Sequence, residues 1–374
     1  MEKCPVTFFV TVYNIEKYLE RFFDCLDKQT FKDYQLLIID DGSTDNSLSI
    51  CQAHAEQDNR IQVVPIEHVG ISSARNKILG MLDTEFATSL DGDDYFEPDY
   101  LKHLMDAQQK YNADYVISNV IYVTEEGKEY DRFVPRKEAF FTKDQLPDIL
   151  PELLEEKRLN YLYTKLYRTE YLKDIRVESD VKLGSDTMIN IQYATRINNI
   201  AVIEDYDYHY VRYATRSVTS AKSTDFFWRM YRIQKFLYDT TKKNGLLNDK
   251  MLRVIDARTM ISGVVGLRRI EKADIKMKAK LAVAHNVIHS NEYLCSYNRL
   301  KENGQLETLR FKVIHPGEEE AFIKGIHKRK RKNRILKHTP KFVFNTYHNI
   351  KKILGLLKLI VYEVHRSHHH PQPC

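Results

Sequence analysis

The sequence predicts an α/β fold: a mainly parallel central sheet followed by an α-helical C-terminal extension. Three observations carry that prediction. Strand-length apolar runs alternate with segments of helical spacing over residues 1–123. The runs are apolar at successive positions, the mark of strands covered on both faces. Two of them end in acids, at the carboxyl ends where such sheets bind their ligands.

The elements follow in order. "VTFFVTVYN" (6–14) is a β-branched and aromatic strand. Residues 15–29 place Ile15, Tyr18, Leu19, Phe22, Phe23 and Leu26 at helical spacing. "QLLIIDDGST" (35–44) is a second strand ending in acids and a turn, and 45–57 is a helix capped by Asp45 or Asn46. A strand (61–66), a helix (70–82) and a fourth strand (86–91) come next. Pro98 lies at the first turn of a helix over 98–111, before a strand at 114–123. The alternation is irregular to residue 225, and the chain then turns helical. The expected organisation is a domain over 1–225, with halves 1–123 and 124–225, a helical region over 226–323 and a tail over 324–374.

Composition sets further bounds. At 374 residues, 43% hydrophobic and 29% charged, the chain is globular and long enough for more than one core. Its five cysteines are scattered without a CxxC pair, which argues against a zinc ribbon or a disulfide framework and for a reducing compartment. The first residues lack the pattern of a signal peptide, so a cytoplasmic protein is expected. Nine Lys and Arg residues and no acid lie from Lys324 to Lys341, and without them the chain is net acidic. An apolar-rich stretch (345–365) follows, with uninterrupted runs too short for a membrane span. The segment 324–366 therefore reads as a peripheral contact with the inner face of the cell membrane. The other reading is a helix packing on its own domain or on a second subunit, which leaves a homo-oligomer open. The acidic body argues against nucleic acid, although Phe342, Phe344 and Tyr347 give the basic tail stacking groups.

The chemistry gathers in the acidic turns. "SLDGDDYF" (89–96) crowds Asp91, Asp93 and Asp94 around Gly92. Alone, such a triplet is common in solvated turns. After a buried strand, its carboxylates can converge on Mg²⁺ or Mn²⁺, which prefer oxygen ligands and take others from substrate phosphates. Gly92 is expected to leave room for a ligand beside the backbone.

"VTVYN", "IIDDGSTDNS", "GISSARNKIL" and "LDGDDYFEPDYL" occur in this order. Together they resemble the family 2 glycosyltransferases of GT-A fold, bacterial inverting enzymes that build capsule, exopolysaccharide or teichoic-acid structures. The resemblance covers roughly residues 5–220. It implies a nucleotide-diphospho-sugar donor, most often UDP-linked, a Mn²⁺ or Mg²⁺ cofactor, and a glycan or polyol-phosphate acceptor that can be lipid-linked. It further implies that Thr11 and Tyr13 end the first strand beside the base, that Asp41 binds the base edge and that Asp40 supports it or the ribose. Arg75 would neighbour base and diphosphate, Asp91 would reach ribose or sugar, Asp93 would ligate the metal, and Asp94 would support them. His68 could also neighbour the base.

In the second half, "VKLGSDTMINIQ" is similar to the family's "GED" segment, with Ser185 in place of Glu. Asp186 is then the implied general base, which the acceptor hydroxyl needs as it attacks. Ser185 and Asp186 are also good helix-capping residues. "LYTKLYR" resembles "NKLYR", with Thr164 for Asn, and makes Lys165 structural or acceptor-facing. "YHYVRYATRSVTS" supplies Arg212, Arg216 and Ser217, with His209, as candidates near the diphosphate. Two other function classes remain: a catalytically inactive nucleotide-sugar-binding scaffold, and a nucleic-acid binder acting through the tail.

Overall fold

The computed structural model describes residues 5–213, 224–309 and 312–326. The strands are β1 (Val6–Val12), β2 (Tyr34–Asp40), β3 (Ile61–Pro65), β4 (Phe86–Ser89), β5 (Tyr95–Phe96), β6 (Tyr115–Ile117), β7 (Val120–Thr124), β8 (Glu129–Arg132), β9 (Ala139–Thr142), β10 (Lys165–Arg168), β11 (Asn199–Val202) and β12 (Tyr208–Arg212). The helices are α1 (Glu16–Asp27), α2 (Ser47–Gln57), α3 (Ile71–Met81), α4 (Tyr100–Tyr111), α5 (Leu146–Glu155), α6 (Ser185–Ala194), α7 (Phe226–Lys243), α8 (Asp249–Lys272), α9 (Met277–Ile288) and α10 (Asn291–Glu302).

The central sheet has eight strands in the order β3-β2-β1-β4-β10-β6-β11-β9. Strands β1 to β4 pair parallel, and β6 pairs parallel with β11. Because β10 runs antiparallel to both β4 and β6, those two point the same way. Only β10 and the edge strand β9 oppose the rest, so the acidic strand ends collect along one edge. A smaller sheet, β5-β12-β7-β8, stands beyond it.

The period-2 alternation of a strand explains the two cores. Phe8, Val10 and Val12 enter one core with Leu19, Phe22 and Phe23 of α1 and Leu101 and Leu104 of α4. Phe9, Leu37 and Ile39 enter the other with Ala74 and Ile78 of α3. Ile233 and Leu237 of α7 and Met251, Val254 and Ile255 of α8 belong to that second core too. Thus the helical extension packs directly on the sheet-bearing part. Its outer portion has a core of its own around Phe227, Met260, Val264, Leu267 and Tyr293. Among the described residues, no helix is long and apolar enough to cross a membrane. The basic stretch beyond residue 326, and with it most of the 324–366 membrane expectation, lies outside the described residues.

Candidate active site

The first corner of the site is built from the loops after β1 and β2. Asn14 and Ile15 donate backbone N–H groups to Ser43 and Ser47 hydroxyls (3.0 and 2.8 Å), while Asn14 Oδ1 accepts from Thr44 N (2.7 Å). This lacing fixes Tyr13 beside Asp41. Gly42, at φ +70°, makes the turn; a Cβ there would come within 2.7 Å of the His68 backbone nitrogen. His68 therefore lies tight against the turn. Its ring stacks on Tyr13 at 4.2 Å, and its Nδ1 lies 3.1 Å from an Asp41 carboxylate oxygen. Asp41 Oδ1 and Oδ2 accept from the Val69 and Gly70 backbone N–H groups at 2.8 and 3.0 Å. Asp40 points inward: Oδ1 accepts from Ser43 N at 3.0 Å, and buried Oδ2 has no hydrogen-bond partner among the described residues. Thr11 lies on β1 opposite Ile39, next to Asp40 in register.

The second corner is the turn after β4. Arg21 of α1 and the Tyr213 hydroxyl both donate to the Asp93 carbonyl (2.6 and 2.7 Å). The Asp91 N–H donates to the Tyr208 hydroxyl at 3.1 Å. Asp94 faces into the fold, accepting from Tyr208 Oη at 2.9 Å and from Val211 N at 2.8 Å. Both its oxygens are thereby engaged in joining the turn to β12. Gly92 departs from expectation. A Cβ on it would meet Ile15 Cδ1 at 2.6 Å, so that side of the glycine faces the core and not open space.

The charges at this turn strain against one another. Burial raises Asp91 to about 7; the Asp93 and Asp186 carboxylates push the same way, and Arg75 opposes them. Burial raises Asp94 well above the carboxylate range, with Asp93 and Asp91 adding to it.

The third corner comes from far along the chain. Gly184 takes φ +81° before α6, and a Cβ there would overlap Ile233 of α7 at 2.1 Å. Asp186 lies in the first turn of α6, where the helix dipole favours a carboxylate. Arg75 Nη1 donates to the Ser185 hydroxyl at 2.8 Å and forms a close ion pair with Asp186. Its neighbours on α3 grip the same segment: Ser72 Oγ donates to the Val181 carbonyl, and Asn76 exchanges hydrogen bonds with Val177 (2.6 and 2.9 Å). "SSARN" is thus the clamp of the 177–186 segment.

Residues that sequence reasoning missed close the gap between the corners. Tyr161, Tyr163 and Tyr208 stack successively at 4.9 and 4.6 Å, and the buried Tyr163 hydroxyl has no partner among the described residues. Tyr161 interacts electrostatically with both Asp186 and Arg258 of α8. Arg258 donates to Gln234 of α7 and to Asn160, each at 3.1 Å. The available signal was the density of tyrosine in "NYLYTKLY" and "YDYHYVRY". Lys165 is fully buried, donates to the Tyr163 carbonyl at 2.8 Å, and is lowered to about 7 by that burial, with Asp186 opposing. Arg212 does not join the three corners by any described contact; it is exposed and lies over the Tyr130 ring at 6.0 Å. His209 pairs with Glu97 at 2.8 Å. Arg216 and Ser217 lie outside the described residues.

Residues 7–176 match the family described as Glycosyl transferase family 2. Glycosyltransferase GlyA of Streptococcus pneumoniae serotype 4 is 26% identical over 355 residues, which cover 87% of this chain and 50% of GlyA. EpsH of Bacillus subtilis, a putative glycosyltransferase by its name, is 27% identical over 56% of this chain and 61% of its own length. The poly(ribitol-phosphate) beta-N-acetylglucosaminyltransferase TarS of Staphylococcus aureus is 27% identical over 54% of this chain and 34% of TarS. The chain thus spans about half the length of GlyA, the relative it matches over most of its own residues. The crystal structure of TarS 1–349 superposes with a TM-score of 0.57 at 19% identity, over 86% of this chain and 91% of that one. The same fragment in complex with UDP-GlcNAc superposes at 0.55 over 83% and 94%. At that identity the superposition establishes the fold, which is GT-A as the motif order implied.

Proposed function

The chain belongs to glycosyl transferase family 2, and on that premise we propose that it moves a sugar from a UDP-linked donor to a hydroxyl of a cell-surface polymer. The observation that carries this is the meeting of Asp186, from the acceptor side, with Arg75 of the donor side, close enough to Asp91 for their charges to interact. The polymer is a glycan or polyol phosphate, reached in the cytoplasm at the inner face of the membrane. The names of GlyA and TarS, and the UDP-GlcNAc held by the TarS fragment, support that choice of donor and acceptor.

Tyr13, His68 and Asp41 form the base-binding corner. Thr11 and Asp40 lie behind it, and Asp91 reaches the ribose or the sugar. Asp91 and Asp93 offer only oxygen donors, and among the described residues no further ligand joins them to complete a three-donor metal cluster. Such a turn fits Mn²⁺ or Mg²⁺ arriving with a diphosphate, which supplies the remaining oxygens. Burial raises Asp91, and a cation there would relieve the repulsion that Asp93 and Asp186 add to it. Asp93 is the ligand proposed, with Asp91 beside it; when bound, the cation neutralises charge on the leaving diphosphate.

Transfer is a single in-line displacement. The acceptor oxygen bonds to the anomeric carbon as the bond to the nucleotide diphosphate breaks, and the hydroxyl proton passes to Asp186. Arg75 holds that carboxylate. A donor diphosphate is the natural competitor for the guanidinium, so donor binding would release Asp186 for the incoming hydroxyl. Asp186→Asn is expected to lower transfer by about 10²–10⁴-fold while donor binding, measured by calorimetry, survives. Turnover near the wild-type rate would remove Asp186 from the base role. Donor binding without turnover in the wild type, across UDP-sugars with Mn²⁺, would instead favour a non-catalytic binder.

A further inference from the structure

His285 lies in the last turn of α9 and His289 caps its C-terminal end four residues on, about one turn away. Glu319 opens the last described helical segment, 319–326, and comes up against both. His285 Nδ1 lies 3.1 Å from Glu319 Oε1, and His289 Nε2 lies 3.2 Å from the same oxygen. The two imidazole rings are tilted 30° to one another, with centroids 4.0 Å apart.

Those separations have a second meaning. Zinc holds nitrogen and oxygen at about 2.0–2.2 Å in tetrahedral geometry, which puts neighbouring ligand atoms about 3.3 Å apart. The nitrogen–oxygen distances here match that edge, and all three ligand atoms lie within 4.8 Å of one another. The carboxylate is also held in place from behind: its side chain is only 9% exposed, and Oε2 accepts from Gly317 N at 2.8 Å. Such a supporting hydrogen bond is what orients a metal ligand. The histidine side chains are 61% and 36% exposed, which leaves an entry path and room for water at the fourth position.

We propose that His285, His289 and Glu319 form a second metal site, for zinc or a similar borderline divalent ion. Two imidazole nitrogens select such an ion over Mg²⁺ and Mn²⁺, which the acidic turn after β4 suits. The site belongs to the helical extension and owes nothing to cysteine. It would clasp α9 to segment 319–326, at the rim of the core that holds Val287, Ile288 and Ile323. That segment leads directly into the basic tail. The clasp would therefore fix the place from which the tail departs.

The test uses the full chain, freed of metal, with His368, His369 and His370 changed to alanine so that the terminal histidines do not bind the probe. Calorimetric titration with ZnCl₂ is expected to show one ion per chain and a rise of several degrees in unfolding temperature. MgCl₂ should give no binding or thermal gain that depends on His285 or His289. His285→Gln and His289→Gln keep a hydrogen-bonding side chain at exposed positions, so folding in chelator should match the parent. Each should weaken zinc binding more than tenfold and remove the thermal gain. Equal zinc affinity in parent and both variants would overturn the proposal. So would the lack of any zinc binding by the parent, which would leave the trio as hydrogen bonds alone.

Discussion

Asp41 and Asp186 stand at two corners of the same site, and their carboxylates are satisfied by different means. Asp41 is held by backbone N–H groups of the adjoining loop, Val69 and Gly70. Asp186 is held by the side chain of Arg75, more than a hundred residues away. Backbone donors on a laced loop are fixed before any ligand arrives, whereas a side-chain ion pair can exchange partners. The Asp41 corner is thus held by fixed donors, whereas in the proposed reaction the donor diphosphate can replace Asp186 on Arg75. This difference suits a reaction in which the donor binds first.

Removing the exchangeable partner breaks the contrast most directly. Arg75→Met leaves Asp186 without its counter-charge and the diphosphate without its cationic partner. Donor affinity should fall at least tenfold and transfer about a hundredfold, since an uncompensated, partly buried charge is costly. Arg75→Lys should recover part of both, having the charge but not the fork. Unchanged donor affinity in Arg75→Met, measured by calorimetry, would show that Arg75 only clamps the loop.

Gly184 sharpens the comparison through the backbone. Its φ of +81° and the overlap of any Cβ with Ile233 both exclude a side chain. Gly184→Ala should cost about 2–3 kcal/mol in urea unfolding, from left-handed strain plus displacement of Ile233. It should also reduce transfer, because Asp186 follows two residues later. The equivalent turn at Gly42 meets the backbone of His68, so the corners share a device although their carboxylates are held differently.

How much of this was legible follows from the same contrast. The strands of the first half were readable because each is a continuous apolar run, and the acids because they end those runs. The order of "VTVYN", "IIDDGS", "SSARN" and "LDGDD" reflects local chain geometry, so the sequence exposes it. What Arg75 touches was not readable, because Ser185 and Asp186 reach it only through the tertiary fold. The inward turn of Asp94 and the packing of Gly92 on Ile15 were hidden for the same reason. A carboxylate and a glycine in a motif look alike whether they face a ligand or the core. The reach of α8 to Asn160 through Arg258 was hidden as well, since no spacing links those segments.

A further test concerns the buried lysine whose charge interacts with Asp186. Lys165 is fully buried, and burial lowers its pKa from 10.5 to about 7, with Asp186 opposing. Between about pH 7 and 10.5 the unfolded chain therefore binds a proton that the folded chain does not. Stability attributable to this residue rises with pH across that window, by about 1 kcal/mol per unit, and the penalty is complete below about 7. Lys165→Met removes the titration while losing the hydrogen bond to the Tyr163 carbonyl, a loss that does not vary with pH. In urea unfolding from pH 7 to 10, the variant should gain on the wild type as the pH falls. Parallel stability curves would mean that Lys165 keeps its charge in the fold, with Asp186 as its partner, and the acceptor corner would then be held by two cations instead of one.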